Sequence, residues 1–150
     1  MKYFLWAGIA LLLQLLIFRH LRLLGSEPDV VLVFLLYVMA NSDRTTSIYI
    51  AAFTGFILDI FLDLWGINLI AKVATAFLAY HFIPKIVETK LLVSQIFLII
   101  LLTALFHNLI FVGIAFFVQS RLDLLFWNYL IGNAIFTSVI GSFTYLFKST

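Results

Sequence analysis

The chain has no cysteine in 150 residues and only two prolines. That removes a disulfide framework and any thiolate metal site, and it leaves the redox compartment unread. Charge is also scarce, at 11% Asp, Glu, Lys and Arg, against about 25% in a soluble domain. The net charge of +2 comes from nine Lys and Arg scattered singly. The electrostatic stripe of a nucleic-acid binder is therefore missing, as is a general basic patch of four or more residues for an anionic lipid surface. No His-Glu-x-x-His spacing supports zinc, and no glycine-rich cradle supports phosphate. Ser94, Ser138 and Ser142 have no nucleophile elbow around them.

What is present is apolar sequence: 65% hydrophobic residues, 17 of them Phe, and a mean hydropathy of +1.18. The charges sit in short islands, at 19–22, 27–29, 43–44, 85–90, 121–123 and Lys148. Between them lie six apolar runs, Tyr3–Phe18, Pro28–Ala40, Thr46–Leu64, Ile67–Ile83, Leu91–Val118 and Leu124–Phe147. Most approach the ~20 residues of a spanning helix. The expectation is an all-α polytopic membrane bundle of about six transmembrane helices, one domain over 1–150, with five spans plus a re-entrant segment as the other count. The second run is short for a bilayer, and Pro28 suits its first turn with Ser26 or Glu27 as cap. Arg19-His20-Leu21-Arg22 follows the first run without a small-residue cleavage site, which predicts an uncleaved first span. Lys2, Arg44, Lys85, Lys90 and Lys148 fall on one side and Arg19, Arg22 and Arg121 on the other. The positive-inside bias then puts both termini in the cytoplasm.

The most informative stretch is Gly55-Phe56-Ile57-Leu58-Asp59-Ile60-Phe61-Leu62-Asp63-Leu64-Trp65-Gly66-Ile67-Asn68. A carboxylate at bilayer depth costs about 2.5–3.5 kcal/mol on insertion scales and normally faces protein or water. Asp59 and Asp63 are four residues apart, so a helix stacks them on one face, continued by Ala51 and Gly55. Small residues on that stripe predict a helix–helix seam. The short turn at Gly66 makes the flanking helices antiparallel. It places Asp59 about 10 Å down one helix and Lys72 about 9 Å down the other, which predicts an Asp59–Lys72 ion pair. An aspartyl protease is disfavoured because both acids lie on one helix rather than converging from opposed positions. A proton or cation path through Asp59, Asp63 and His107 would be thin.

The remaining polar groups read as packing devices. His107-Asn108 lies mid-run with Thr103 one turn away, and such groups in lipid mostly hydrogen-bond across helices. Asn133, Thr137 and Gly141 repeat at i, i+4 and i+8, with Gly132 beside them, a second close-packing stripe or a cavity lining. Trp6, Trp65, Trp127 and Tyr129 fall near run ends, at headgroup level.

Three short motifs in order point further. Glu27-Pro28-Asp29-Val30-Val31-Leu32-Val33-Phe34-Leu35-Leu36-Tyr37 resembles the Pro-Asp/Asn start of the second helix in the rod shape-determining MreD family. Gly55-Phe56-Ile57-Leu58-Asp59 resembles that family's Gly-x-x-Leu-Asp helix, and Gly66-Ile67-Asn68-Leu69 with Leu78-Ala79-Tyr80 resembles its turn and fourth helix. The motif match covers about 27–80, and hydropathy alone carries the rest. Asp63 departs from the pattern, where a small or neutral residue is expected. The resemblance implies a bacterial inner-membrane protein of the elongation machinery that inserts peptidoglycan. Implied partners are a bitopic MreC-like protein and, through it, an MreB-like filament, a RodA-like glycosyltransferase and a class B penicillin-binding transpeptidase. It brings no catalytic residues, cofactor or metal, and implies a scaffold rather than an enzyme. The candidate structural or partner-facing residues are Pro28, Asp29, Ala51, Gly55, Asp59, Asp63, Gly66, Asn68, Lys72, Asn133, Thr137 and Gly141. The alternative is the vitamin-capturing subunit of an energy-coupling-factor transporter, whose small six-span architecture is similar.

Overall fold

The structure, a computed structural model, describes residues 2–22, 24–85, 91–119 and 126–149, without the side chains of 119 and 147–149. Lys90 and Arg121, used in the charge bias, lie outside the described residues, as does the side chain of Lys148. Among the described residues the regular structure is helical, without strands: α1 Lys2–Leu13, α2 Val30–Asn41, α3 Arg44–Leu62, α4 Ile67–Ala79, α5 Val93–Gln119 and α6 Asn133–Ser149. Five-residue π turns extend α1 through Gln14–Phe18 and precede α6 at Asn128–Gly132. Three segments are long and apolar enough to cross a membrane: Arg44–Leu62, Val93–Val118 and Asn128–Leu146. The segments Lys2–Phe18, Val30–Asn41 and Ile67–Phe82 are apolar but shorter.

Burial runs opposite to that of a water-soluble domain. Ser47, Thr54, Lys72, Thr75 and Ser138 are wholly enclosed, while Leu5, Leu16, Phe56, Phe61 and Phe117 lie open on the outside. Exposed apolar surface on this scale needs a non-aqueous surround. The enclosed hydroxyls are served by their own helices, with Thr54 donating to Ile50 O, Thr75 to Ala71 O and Ser138 to Ala134 O. A further core of Leu32, Leu35, Val38, Met39, Ile50, Ala76, Ile100 and Ala104 fills the space around α2.

Helix ends are tied by identifiable groups. Asp43 starts α3 by accepting from Thr46 N and Thr46 Oγ1, at 3.0 and 2.6 Å. The Thr46 hydroxyl and N–H hold its carboxyl below the usual range. At the same end Lys85 Nζ donates to Met39 O, Ser42 O and Tyr80 Oη, collecting carbonyls left over at the C-terminus of α2. Arg44 donates to Phe77 O and lies 4.1 Å from the centroid of the Phe77 ring. The opposite end holds the Gly66 turn, where Asp63, Trp65 and Gly66 all have positive φ. Gly66, at +90°, is the one of the three for which this costs nothing.

Candidate functional site

Asp59 is buried, and it serves the backbone of the next helix rather than a cation. Its Oδ1 accepts from Asn68 N at 2.9 Å and its Oδ2 from Leu69 N at 2.8 Å. These are among the first N–H groups of α4, which have no partner within that helix. The carboxylate also lies at the positive end of the helix dipole. Gly55, one turn earlier, permits the approach: a Cβ there would lie 2.6 Å from Leu69 Cα. The Asp59–Lys72 pair expected from matched depth does not form. Depth along two helices is not azimuth, and the start of α4 takes the carboxylate first. Asp63 also departs from its expected place. It ends α3 in the left-handed region, at φ 53°, with its side chain exposed. The i, i+4 stacking fails because the helix stops at Leu62.

Lys72 is fully enclosed, at 0% exposure, and its Nζ meets Asp29 Oδ2 at 2.6 Å. Asp29 Oδ1 accepts from Leu32 N at 2.8 Å, which makes Asp29, not Ser26 or Glu27, the N-cap of α2. Pro28 therefore stands before the cap, not in the first turn. An isolated enclosed ammonium is prohibitive, and the pair is tolerable only because further hydrogen bonds satisfy its partner.

The chain enters α2 through an extended stretch whose residues are tied to other helices, mostly through those helices' side chains. Ser26 Oγ donates to Asn128 O (3.1 Å), Glu27 N to Asn133 Oδ1 (2.7 Å) and Asp29 N to Thr137 Oγ1 (2.9 Å). From the other side Gln14 uses both ends of its amide, donating to Pro28 O at 3.0 Å and accepting from Val30 N at 2.8 Å. Arg22 and Glu27 form an ion pair at the rim. Irregular backbone deep in an apolar bundle survives only when protein satisfies it. The Asn133/Thr137 stripe is thus an internal rail for 26–29. Gly141 continues it against Ile100 and Val33, where a Cβ would crowd both.

The π turn before α6 releases carbonyls, and two buried groups claim them. Asn108 Nδ2 reaches Tyr129 O at 3.4 Å and Leu130 O at 3.2 Å; Ser26 takes Asn128 O. His107, next in chain to Asn108, is 2% exposed, and its Nε2 has no hydrogen-bond partner among the described residues. It lies within electrostatic reach of Lys72 and Asp29.

Of the twelve residues singled out in the sequence, Asp29, Lys72, Asn133 and Thr137 meet at the start of α2, with Pro28 in the backbone they hold. Gly55, Asp59, Gly66 and Asn68 make the α3–α4 turn, and Ala51 is buried further along that stripe. Asp63 belongs to that turn through its backbone alone, with its side chain exposed, and Gly141 continues the Asn133/Thr137 rail away from the start of α2. Sequence reasoning missed Gln14, although a lone amide in an apolar run was a visible signal for it. No group of three His, Asp or Glu among the described residues is placed to hold a metal.

A second feature is an apolar groove of about 620 Å³, floored by α2 and flanked by α1 on one side and α5 and α6 on the other. It runs from Lys2 and Tyr3 to Leu13 and Val30. Comparison with known protein families, curated proteins and solved structures finds no match to this chain.

Proposed function

We propose that this protein is a non-catalytic membrane scaffold of the MreD type. It would lie in the bacterial inner membrane with six spans and both termini cytoplasmic, and serve cell elongation and peptidoglycan synthesis. Its direct partner on this reading is an MreC-like bitopic protein. An MreB-like filament, a RodA-like glycosyltransferase and a penicillin-binding transpeptidase join through that contact. The observation that carries the non-catalytic part is the engagement of the two helix-capping carboxylates, buried Asp59 and partly buried Asp29: Asp59 is spent on two backbone N–H groups, and Asp29 on Leu32 N and Lys72 Nζ. Neither is left to exchange protons with a substrate, and their work is to fix helix positions. The assignment to elongation rests on the ordered motifs at 27–37, 55–59 and 66–69.

The transporter reading needs a polar cavity for a water-soluble molecule, and the 620 Å³ groove is lined mainly by apolar side chains. Affinity purification of the tagged protein in mild detergent, followed by mass spectrometry, separates the two. Co-elution of a single-span coiled-coil protein with wall-synthesis enzymes is the expected result. Recovery of ATP-binding cassette subunits or a vitamin-like ligand overturns it.

A further inference from the structure

The groove between α1 and α5/α6 has a polarity along its length. At one end stand the exposed Lys2 and the phenols Tyr3, Tyr37 and Tyr145. Such amphipathic rings settle at the headgroup level of a bilayer. From there the lining is almost wholly apolar until Leu13 and Val30. Beyond them Gln14 locks onto Pro28 O and Val30 N, so the groove stops where the buried polar cluster begins. Lys2 to Leu13 is eleven residues, or ~17 Å of helix, close to the ~15 Å depth of one leaflet's hydrocarbon.

We propose that this groove is a specific site for one anionic glycerophospholipid. An acyl chain would lie along α2 and the headgroup phosphate against Lys2. The leaflet is the one at the end where Arg44 and Lys85 also lie, the end that the basic residues mark as cytoplasmic, where anionic lipids are concentrated. The inference rests on the orientation proposed above and not on which assembly the protein joins.

The probe is dioleoyl phosphatidylglycerol, with dioleoyl phosphatidylcholine as control, added to the full-length protein stripped in mild detergent and read by native mass spectrometry. One phosphatidylglycerol retained per protein, at least tenfold over phosphatidylcholine, is the expected result. Lys2→Glu, an exposed change, should abolish that preference. Thr144→Trp, which fills the groove from the exposed side of α6, should remove retention of both lipids while helicity and melting temperature hold. Retention without preference, or retention unchanged in both variants, overturns the proposal. So does finding a polyprenyl phosphate as the retained species, or crosslinking a partner's helix to Tyr3 or Thr144.

Discussion

Asp29 and Asp59 do the same chemical job, capping a helix with a carboxylate inside an apolar bundle, and they do it at opposite ranges. Asp59 reaches nine and ten residues ahead, to the N–H groups that follow its own turn. Asp29 caps its own helix but is held from 43 residues away by Lys72 and from 108 residues away by Thr137. The first is a local device that makes the α3–α4 hairpin self-sufficient. The second is a junction where α1, α2, α4 and α6 all terminate hydrogen bonds. Local closure leaves its carboxylate neutralised by dipoles, whereas the junction requires a whole buried cation.

That contrast has measurable edges. Lys72→Met leaves Asp29, itself partly exposed, as an unpaired charge, and the loss should be about 3 kcal/mol, the low end for a buried pair. The melting midpoint in detergent should collapse, and Asp29→Asn combined with it should recover much of the loss. Additive losses in the double variant would break the pairing. Asp59→Asn turns one acceptor into a donor facing a backbone N–H, and should cost about 1.5–3 kcal/mol. Hydrogen exchange should localise that loss to the first turn of α4; exchange spread evenly through the bundle would erase the distinction between local and long-range. Thr137→Val removes a single acceptor from Asp29 N and should cost about 1 kcal/mol, with faster exchange at Asp29. Asp63→Gly should shift stability by no more than about 0.5 kcal/mol, because the residue is exposed and glycine accepts its left-handed backbone.

Much of this was legible in the residues, and the reason it stops is physical. Among the described residues each of the six apolar runs carries one α-helix, because an apolar run between charged islands has few other ways to satisfy its backbone. The small face of Ala51, Gly55 and Asp59 was readable because helical periodicity is a property of neighbours in sequence. The partner of Lys72 was not. The residue spacing gives its depth, but choosing its partner takes the azimuth of α4 and the unpaired N–H groups at its N-terminus, which claim Asp59. The end of α3 at Leu62 has no sequence signature, because nothing in Leu62-Asp63-Leu64 marks a helix end before Gly66. The rail of Asn133 and Thr137 looked like a helix-packing stripe, and the surface it receives is an extended backbone, which leaves no periodic signature. Gln14 stands out as a lone amide in an apolar run, but its backbone partners at 28 and 30 leave no periodic trace in the sequence.

The 108 residues between Asp29 and Thr137 also set an order of assembly. At about 5–20 residues per second during synthesis, the start of α2 emerges some 5–20 s before the hydroxyl that receives its Asp29 N–H exists. The α3–α4 hairpin closes within its own few residues and needs no such wait. During that interval the stretch at 26–29 is a nascent chain with open backbone groups in an apolar setting, a natural client for the insertion machinery. Truncation before α6 should therefore leave the hairpin formed and the N-terminal third exposed to quality-control proteolysis.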